Sequence, residues 1–330
     1  MNATMKAWTG SGRGDALRFE LIDLPVPRPG PHDLLVGVRA VGINRVDQYP
    51  SGSHFQHSAA IGAAIPGIEM AGEVITVGEH VDTFRVGDRV CAMVQGGSAP
   101  YAIVRAALAL RIPEGLDWIQ AAAIPVSYLT AHNALFTLGR ATSGASVLIH
   151  AVTSGVGLAA LQLATLAKAS LIAGSGTAPE KLERLAKMGL DVALPDPYSG
   201  FADRVLAASG QQGVEVVLDN IGGRLLNETM RCTALGGRIV NVGRLGGIET
   251  SIDLNLHALR RIELLGATFR TRSIAQHAHC VDAFVRDFGS ALEHGTLRPL
   301  IDSVFAFDRL PEAVQRSANR EQLGKIVVAL

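Results

Sequence analysis

One stretch limits what this chain can fold into more than any other: Ser146-Val147-Leu148-Ile149-His150-Ala151-Val152-Thr153-Ser154-Gly155-Val156-Gly157-Leu158-Ala159-Ala160. Val147, Leu148 and Ile149 form the short apolar run of a buried parallel strand. Leu158, Leu161 and Thr165 then fall at helical spacing beside the small residues Ala160, Ala164 and Ala167. The turn between strand and helix reads Gly155-x-Gly157-x-x-Ala160. In a dinucleotide-binding fold the first glycine makes the tight turn and the second lets backbone approach a pyrophosphate. The small third residue allows close helix packing, and the free amides of the helix N-terminus face the anion. Glycine turns of this kind also arise for packing alone, so the flanking chain has to decide.

At 330 residues the chain is long enough for two domains, each with its own core. Thirty Lys and Arg balance thirty Asp and Glu, which argues against a nucleic-acid or acidic-membrane partner. Cys91, Cys232 and Cys280 are scattered, with neither the paired spacing of a disulfide framework nor that of a cysteine zinc cage. A reducing cytoplasm fits best. Residues 1–15 lack a signal-like apolar core, and no run approaches the roughly 20 apolar residues needed to span a bilayer.

Short strand signals fill the first part of the chain, at Met5–Trp8, Leu17–Ile22, Asp33–Val41, Gly72–Gly78, Gly87–Val94 and Tyr101–Val104. Glycine turns between them predict a barrel-like domain. After Pro125 strand and helix signals alternate, with strands expected at Val147–His150, Leu171–Gly174, Val192–Leu194, Val214–Asp219, Arg238–Val242 and Glu263–Thr268. That alternation is the signature of a doubly wound parallel sheet. From about Phe269 the chain returns to the first domain. The expected class is α/β, with a β-rich domain from 1–124 and 269–330 and a Rossmann cofactor domain from 125–268.

The order of motifs resembles one family over nearly the whole chain: the medium-chain dehydrogenase/reductases, in their zinc-free, zeta-crystallin-like quinone oxidoreductase branch. The motifs are Gly42-Ile43-Asn44-Arg45-Val46-Asp47, Pro66-Gly67-Ile68-Glu69-Met70-Ala71-Gly72-Glu73-Val74, Val86-Gly87-Asp88-Arg89-Val90, Pro125-Val126-Ser127-Tyr128-Leu129-Thr130-Ala131, the glycine turn, Leu235-Gly236-Gly237-Arg238-Ile239-Val240 and Gly324-Lys325. The resemblance implies a GroES-like fold for the β-rich catalytic domain. In zinc-dependent relatives a cysteine ligand stands near Asn44, and a histidine ligand stands where this chain has Ile68. Isoleucine cannot bind zinc, and Val94-Gln95-Gly96-Gly97 leads almost directly to Tyr101 without a cysteine-rich lobe, so no metal is expected.

Cofactor choice is read from the strand after the glycine turn. An acidic residue roughly 20 positions beyond that turn favours the non-phosphorylated dinucleotide. Here the strand ends Leu171-Ile172-Ala173-Gly174-Ser175-Gly176-Thr177, without Asp or Glu. Ser175 and Thr177 can donate to a phosphate, and Lys181 can supply positive charge, which predicts NADPH. The same residues also read as a helix start, with Thr177 as N-cap and Pro179 in the first turn.

Without zinc, an acceptor must be polarised by hydrogen bonds or by its own conjugation, which points to a quinone or an α,β-unsaturated carbonyl. The resemblance places Asn44, Tyr49 and Tyr128 at the catalytic centre. Asn44 reads equally as a side chain pinning a local turn, and Tyr49 as one packed on the domain wall. Cofactor contacts are expected from Thr130, Ser154, Gly155, Val156, Gly157, Ser175, Thr177, Lys181, Asn220, Val242, Gly243, Arg244, Phe269, Arg270, Thr271 and Lys325. Asn220 meets the ribose or caps a helix, and Arg244 reaches a phosphate or solvent. The arginines around Thr271 bind cofactor phosphate, orient an anionic substrate or form interdomain ion pairs. The small, polar stretch Ser51–Ala64 is expected to line the substrate pocket. The resemblance also implies a homodimer through the apolar edge segment Glu263–Phe269. Two other readings stay open, a zinc-independent alcohol or carbonyl dehydrogenase and a non-catalytic NADPH-binding structural or regulatory protein.

Overall fold

The computed structural model describes residues 3–50, 65–196 and 200–330. The chain divides into two compact units, Met1–Val126 with Arg272–Leu330, and Ser127–Thr271. The first is β-rich and the second is a three-layer α/β unit, the class expected from the sequence.

The chain enters the first unit through β1 (Thr4–Ser11) and β2 (Arg18–Pro25), an antiparallel pair in register from Thr4 opposite Pro25 to Ser11 opposite Arg18. Then follow β3 (Asp33–Gly42), β4 (Glu69–Val77), β5 (Arg89–Met93), β6 (Tyr101–Arg105) and β7 (Ala109–Arg111), and the short helix α1 (Trp118–Ala122). Alternate residues Leu34, Val36 and Val38 of β3 share one face, which packs on Met70 and Val74 of β4 and Val90 and Ala92 of β5. Asp117 starts α1, its carboxylate accepting from Gln120 N at 2.7 Å.

Helix α2 (Pro125–His132) runs into a π-helical turn at Asn133–Leu138. The second unit then alternates β8 (Ser146–Ile149), α3 (Gly155–Leu166), β9 (Leu171–Ser175), α4 (Pro179–Ala186), β10 (Val192–Leu194), α5 (Phe201–Ala208), β11 (Val214–Asp219), α6 (Leu226–Arg231), β12 (Thr233–Asn241), α7 (Leu254–Arg260) and β13 (Glu263–Gly266). Its strands form one parallel sheet in the order β10-β9-β8-β11-β12-β13. Strand β8 is apolar because both its faces are covered: Val147, Leu148 and Ile149 are at most 1% exposed. After β8 the chain steps first to β9 on one side and later to β11 on the other. Its carboxyl end is therefore the switch point where open α/β sheets bind ligands.

The chain returns to the first unit with α8 (Ile274–Glu293), β14 (Ile301–Ala306), α9 (Leu310–Asn319) and β15 (Lys325–Ala329). Ser273 and Gln276 close a capping box at the start of α8. Strand β15 pairs antiparallel with β3 and parallel with β14, completing the sheet β14-β15-β3-β4-β5-β7, with β6 on β3. Among the described residues no helix is long and apolar enough to cross a membrane.

Candidate functional site

At the glycine turn the chain leaves β8 at His150, and Ala151 adopts a left-handed backbone (φ 52°). Ser154 is the N-cap of α3, its Oγ accepting from Gly157 N at 3.0 Å. The N–H groups of Gly155 and Val156, the first two of the helix, precede any intrahelical acceptor. A Cβ on Gly157 would stand 2.3 Å from the Ala151 carbonyl oxygen. The second glycine thus lets α3 pack against its own turn, while the amides of Gly155 and Val156 stay outside the intrahelical ladder.

Beneath the turn lies a fully buried polar chain. His150 Nδ1 is 2.9 Å from Ser175 Oγ, and His150 Nε2 is 2.9 Å from Thr229 Oγ1. Burial pushes the imidazole pKa down, against the opposing pull of Asp219, so the ring is neutral near pH 7. Asn220 Nδ2 donates to the His150 carbonyl at 3.1 Å, tying β11 to β8. Asp219 Oδ1 accepts from Ile221 N and Gly222 N at 2.9 and 2.8 Å, shaping the turn that follows. Gly243 is crowded by the same turn, since a Cβ there would lie 2.3 Å from the Asn220 carbonyl oxygen. Val242 N and Gly243 N both donate to Asp219 O, and Arg244 is exposed.

The end of β9 differs from expectation at two residues. Ser175, expected to donate to a phosphate, is completely buried and its hydroxyl is engaged by His150. Thr177 is not the cap of α4; that place falls to Ala178, because Pro179 with its preset φ occupies the first helical turn. Thr177 is left exposed, and Lys181, in the first turn of α4, is half-buried. Thr130 is half-buried on α2. Phe269, Arg270 and Thr271 follow β13, with Arg270 and Thr271 exposed and Arg270 N donating to Thr268 Oγ1 at 3.2 Å.

A second polar group sits in the β-rich unit. Lys325 Nζ donates to Ile43 O at 3.0 Å, Asn44 Oδ1 at 2.9 Å and Glu69 Oε1 at 2.5 Å. All three ammonium hydrogens are used, and the residue is 6% exposed. Lys325 is therefore a structural counter-ion and not the cofactor contact expected from the sequence. Asn44 Nδ2 donates to Gly42 O and Glu69 Oε1 at 3.1 and 2.8 Å, so of its two readings the pinned turn is the one realised. Glu69 Oε2 accepts from Val126 N at 2.7 Å, and a Cβ on Gly42 would lie 2.4 Å from Glu69 Oε1. Asp47 completes the group, accepting from Asn44 N at 2.7 Å and Gly67 N at 3.0 Å. Burial outweighs these two bonds and pushes its carboxyl up to about 6.

The two tyrosines part company. Tyr128 is 3% exposed, its hydroxyl donating to Gln162 Oε1 of α3 at 2.6 Å, and burial holds the phenol well above its ordinary pKa. Its donor is committed, contrary to the expected catalytic part. Tyr49 is 42% exposed at the end of the 3-10 turn Arg45–Gln48. The stretch Ser51–Ala64 expected to line the substrate pocket lies outside the described residues.

His150, Thr229, Gln162, Asp47 and Glu69 were missed as site residues. Two of them carried a signal: His150 is polar at the end of an apolar run, and Glu69 stands between Ile68 and Met70. For zinc the donor set does not fit, because Ile68 has no donor atom and Asn44 is engaged by Lys325. Among the described residues no group of three or more His, Cys, Asp or Glu side chains could hold a metal.

Comparison with known proteins bears on the fold and the family. Residues 30–114 match the alcohol dehydrogenase GroES-like domain family, and residues 155–283 match the zinc-binding dehydrogenase family. The chain is 32% identical to quinone oxidoreductase-like protein 2 of Bos taurus over 98% of this chain and 95% of the relative. It is 28% identical to the quinone oxidoreductase of Rattus norvegicus, covering 93% of this chain and 92% of that protein. A mycobacterial protein solved in complex with NADPH superposes with a TM-score of 0.86 at 25% identity, over 99% of this chain and 100% of that one. The chain belongs to the medium-chain dehydrogenase/reductase family and is of the quinone oxidoreductase type.

Proposed function

We propose that this chain is an NADPH-dependent oxidoreductase that reduces a quinone or an α,β-unsaturated carbonyl without a metal. The observation that carries the reading is the end of β9, where residues 171–177 hold no carboxylate and an exposed Thr177 is followed by Lys181 in the first turn of α4. A ribose 2′-phosphate is accepted there, whereas an acidic residue would repel it. Gly155 N and Val156 N, at the positive end of α3, bind the pyrophosphate, and the Ser154 hydroxyl keeps its hydrogen for the same anion. The backbone of Val242 and Gly243 and the side chains of Asn220 and Thr130 flank the remainder, with Arg244, Phe269, Arg270 and Thr271 at its edges.

When bound, the nicotinamide supplies the hydride. Conjugation in the acceptor takes the place of a Lewis acid, so the chain's part is to orient the acceptor and provide a proton. Tyr49 is assigned the proton, at its phenolic oxygen, because it is exposed while the Tyr128 hydroxyl is engaged. Asn44 holds the chain before Tyr49 through Lys325 and Glu69. Strand β13 at the edge of its sheet, with Leu264 39% exposed, supports a homodimer built by edge-to-edge pairing.

Steady-state kinetics with a quinone and an enone test this directly. We expect a KM for NADPH about tenfold or more below that for NADH, from one charge-assisted phosphate site. Equal or tighter use of NADH refutes the cofactor assignment, and no oxidation of NADPH by any quinone or enone refutes the activity.

A further inference from the structure

We infer that His150 is a positioning residue for the glycine turn: through Ser175 it holds Ala151 in the left-handed conformation that aims the first amides of α3 at a bound anion. The inference rests on the dinucleotide reading for its ligand, and on side-chain geometry for its mechanism.

The hydrogen-bond directions in the buried chain can be assigned from one end. Thr229 Oγ1 donates to Leu225 O at 2.8 Å, which leaves that oxygen only lone pairs for His150. His150 Nε2 must therefore carry the hydrogen of the 2.9 Å contact to Thr229. In a neutral ring Nδ1 is then a lone pair, so at 2.9 Å Ser175 Oγ donates to it. With its hydrogen so directed, Ser175 Oγ accepts from Ala151 N at 3.3 Å. The chain runs from α6 through β8 and β9 and ends on the one residue of the turn with a positive φ.

Ala151 needs such a restraint. An L-residue with φ of 52° places Cβ against its own backbone, a strain that glycine escapes. Its peptide is held on both sides, the N–H by Ser175 and the carbonyl by Ser154 N at 3.0 Å. Since Ser154 is the N-cap of α3, any relaxation of Ala151 turns the cap and with it Gly155 N and Val156 N. His150 is itself fixed to β11 through its backbone, its N–H to Leu218 O and its carbonyl to Asn220 Nδ2. The imidazole is thus the rigid member against which Ser175 is set.

The test is a four-protein cycle of the parent, His150→Phe, Ala151→Gly and the double variant. Phenylalanine keeps a ring against Phe201, whose centroid lies 5.2 Å from the imidazole, but removes both hydrogen bonds. Dissociation constants for NADPH and for NADH are measured by fluorescence titration, alongside kcat at saturating cofactor. His150→Phe is expected to weaken both dinucleotides by a similar factor, about tenfold, because the pyrophosphate is common to them. Glycine at 151 needs no restraint, so Ala151→Gly improves affinity about fivefold or more in the His150→Phe background and less than twofold in the parent. Equal gains in the two backgrounds, or no recovery in the double variant, overturn the inference, as does a loss confined to kcat. If His150→Phe fails to fold, Ser175→Ala breaks the same chain one link on and must show the same rescue. If the parent binds neither dinucleotide, the functional reading fails, and thermal midpoints of the same proteins still decide the inference. Ala151→Gly must then raise the midpoint more in the variant background than in the parent.

Discussion

Replacing Lys325 by Met keeps the length and apolar stem of the side chain and removes a buried ammonium. Glu69, which is 0% exposed, then retains only Asn44 Nδ2 at 2.8 Å and Val126 N at 2.7 Å, and Ile43 O and Asn44 Oδ1 lose their donor. Breaking a buried pair from one side costs about 3–5 kcal/mol, because the remaining charge is left uncompensated. For a unit of this size that corresponds to a fall in thermal midpoint of about 6–20 °C. A chain of two units need not unfold in one step, so the local readout is amide hydrogen exchange in β3, β4 and β15, which should quicken before that of β8 and β11. Adding Glu69→Gln removes the stranded charge and restores about 2 kcal/mol or more, giving a strongly non-additive cycle. Should Lys325→Met stay within about 1 kcal/mol of the parent, or Glu69→Gln fail to rescue it, the pair is not the counter-ion arrangement described.

Two further outcomes follow from the same unit and its neighbour. Asp47 has a folded-state pKa raised by burial from 3.8 to about 6, so between those values the folded chain binds a proton that the unfolded chain has lost. This group's contribution is therefore present below about pH 4 and declines as pH rises to about 6, by roughly 3 kcal/mol at most. Thermal midpoints across that range should fall more steeply with pH for the parent than for Asp47→Asn; parallel curves would exclude the assignment. Tyr128→Phe removes one buried hydrogen bond, costing about 1 kcal/mol of stability with kcat nearly intact, whereas Tyr49→Phe should lower kcat at least tenfold with little change in midpoint. The reverse pattern in kinetics would return the proton to Tyr128.

The sequence was most legible where a local pattern determines the structure. The apolar run of β8 and the spacing of Gly155 and Gly157 identified the strand, turn and helix, because burial of both sheet faces and close helix approach act on adjacent residues. The family's motifs, being short and local, carried the fold class in the same way. Lys325 was misplaced because its partner Glu69 is 256 residues away in sequence, and nothing local says that the ammonium is already engaged. Ser175 misled for a similar reason: a serine at the end of a strand looks available until the imidazole of His150 is seen beside it. Tyr128 needed Gln162 to be understood. Strand β7 escaped notice because Ala109-Leu110-Arg111 is too short to show a period, and β14 because Ile301–Ala306 is only partly buried.

The position of Lys325 also bears on how the protein is made. The second unit is contiguous, Ser127–Thr271, and can close as soon as it leaves the ribosome. The β-rich unit cannot, since Ile43, Asn44 and Glu69 wait for an ammonium encoded 282, 281 and 256 residues later. Until then a carboxylate destined for complete burial has no counter-ion, and strand β3 lacks the partner that β15 provides. Synthesis order thus makes β3 and the Glu69 end of β4 wait for β15, so that this part of the unit closes late although it is made early.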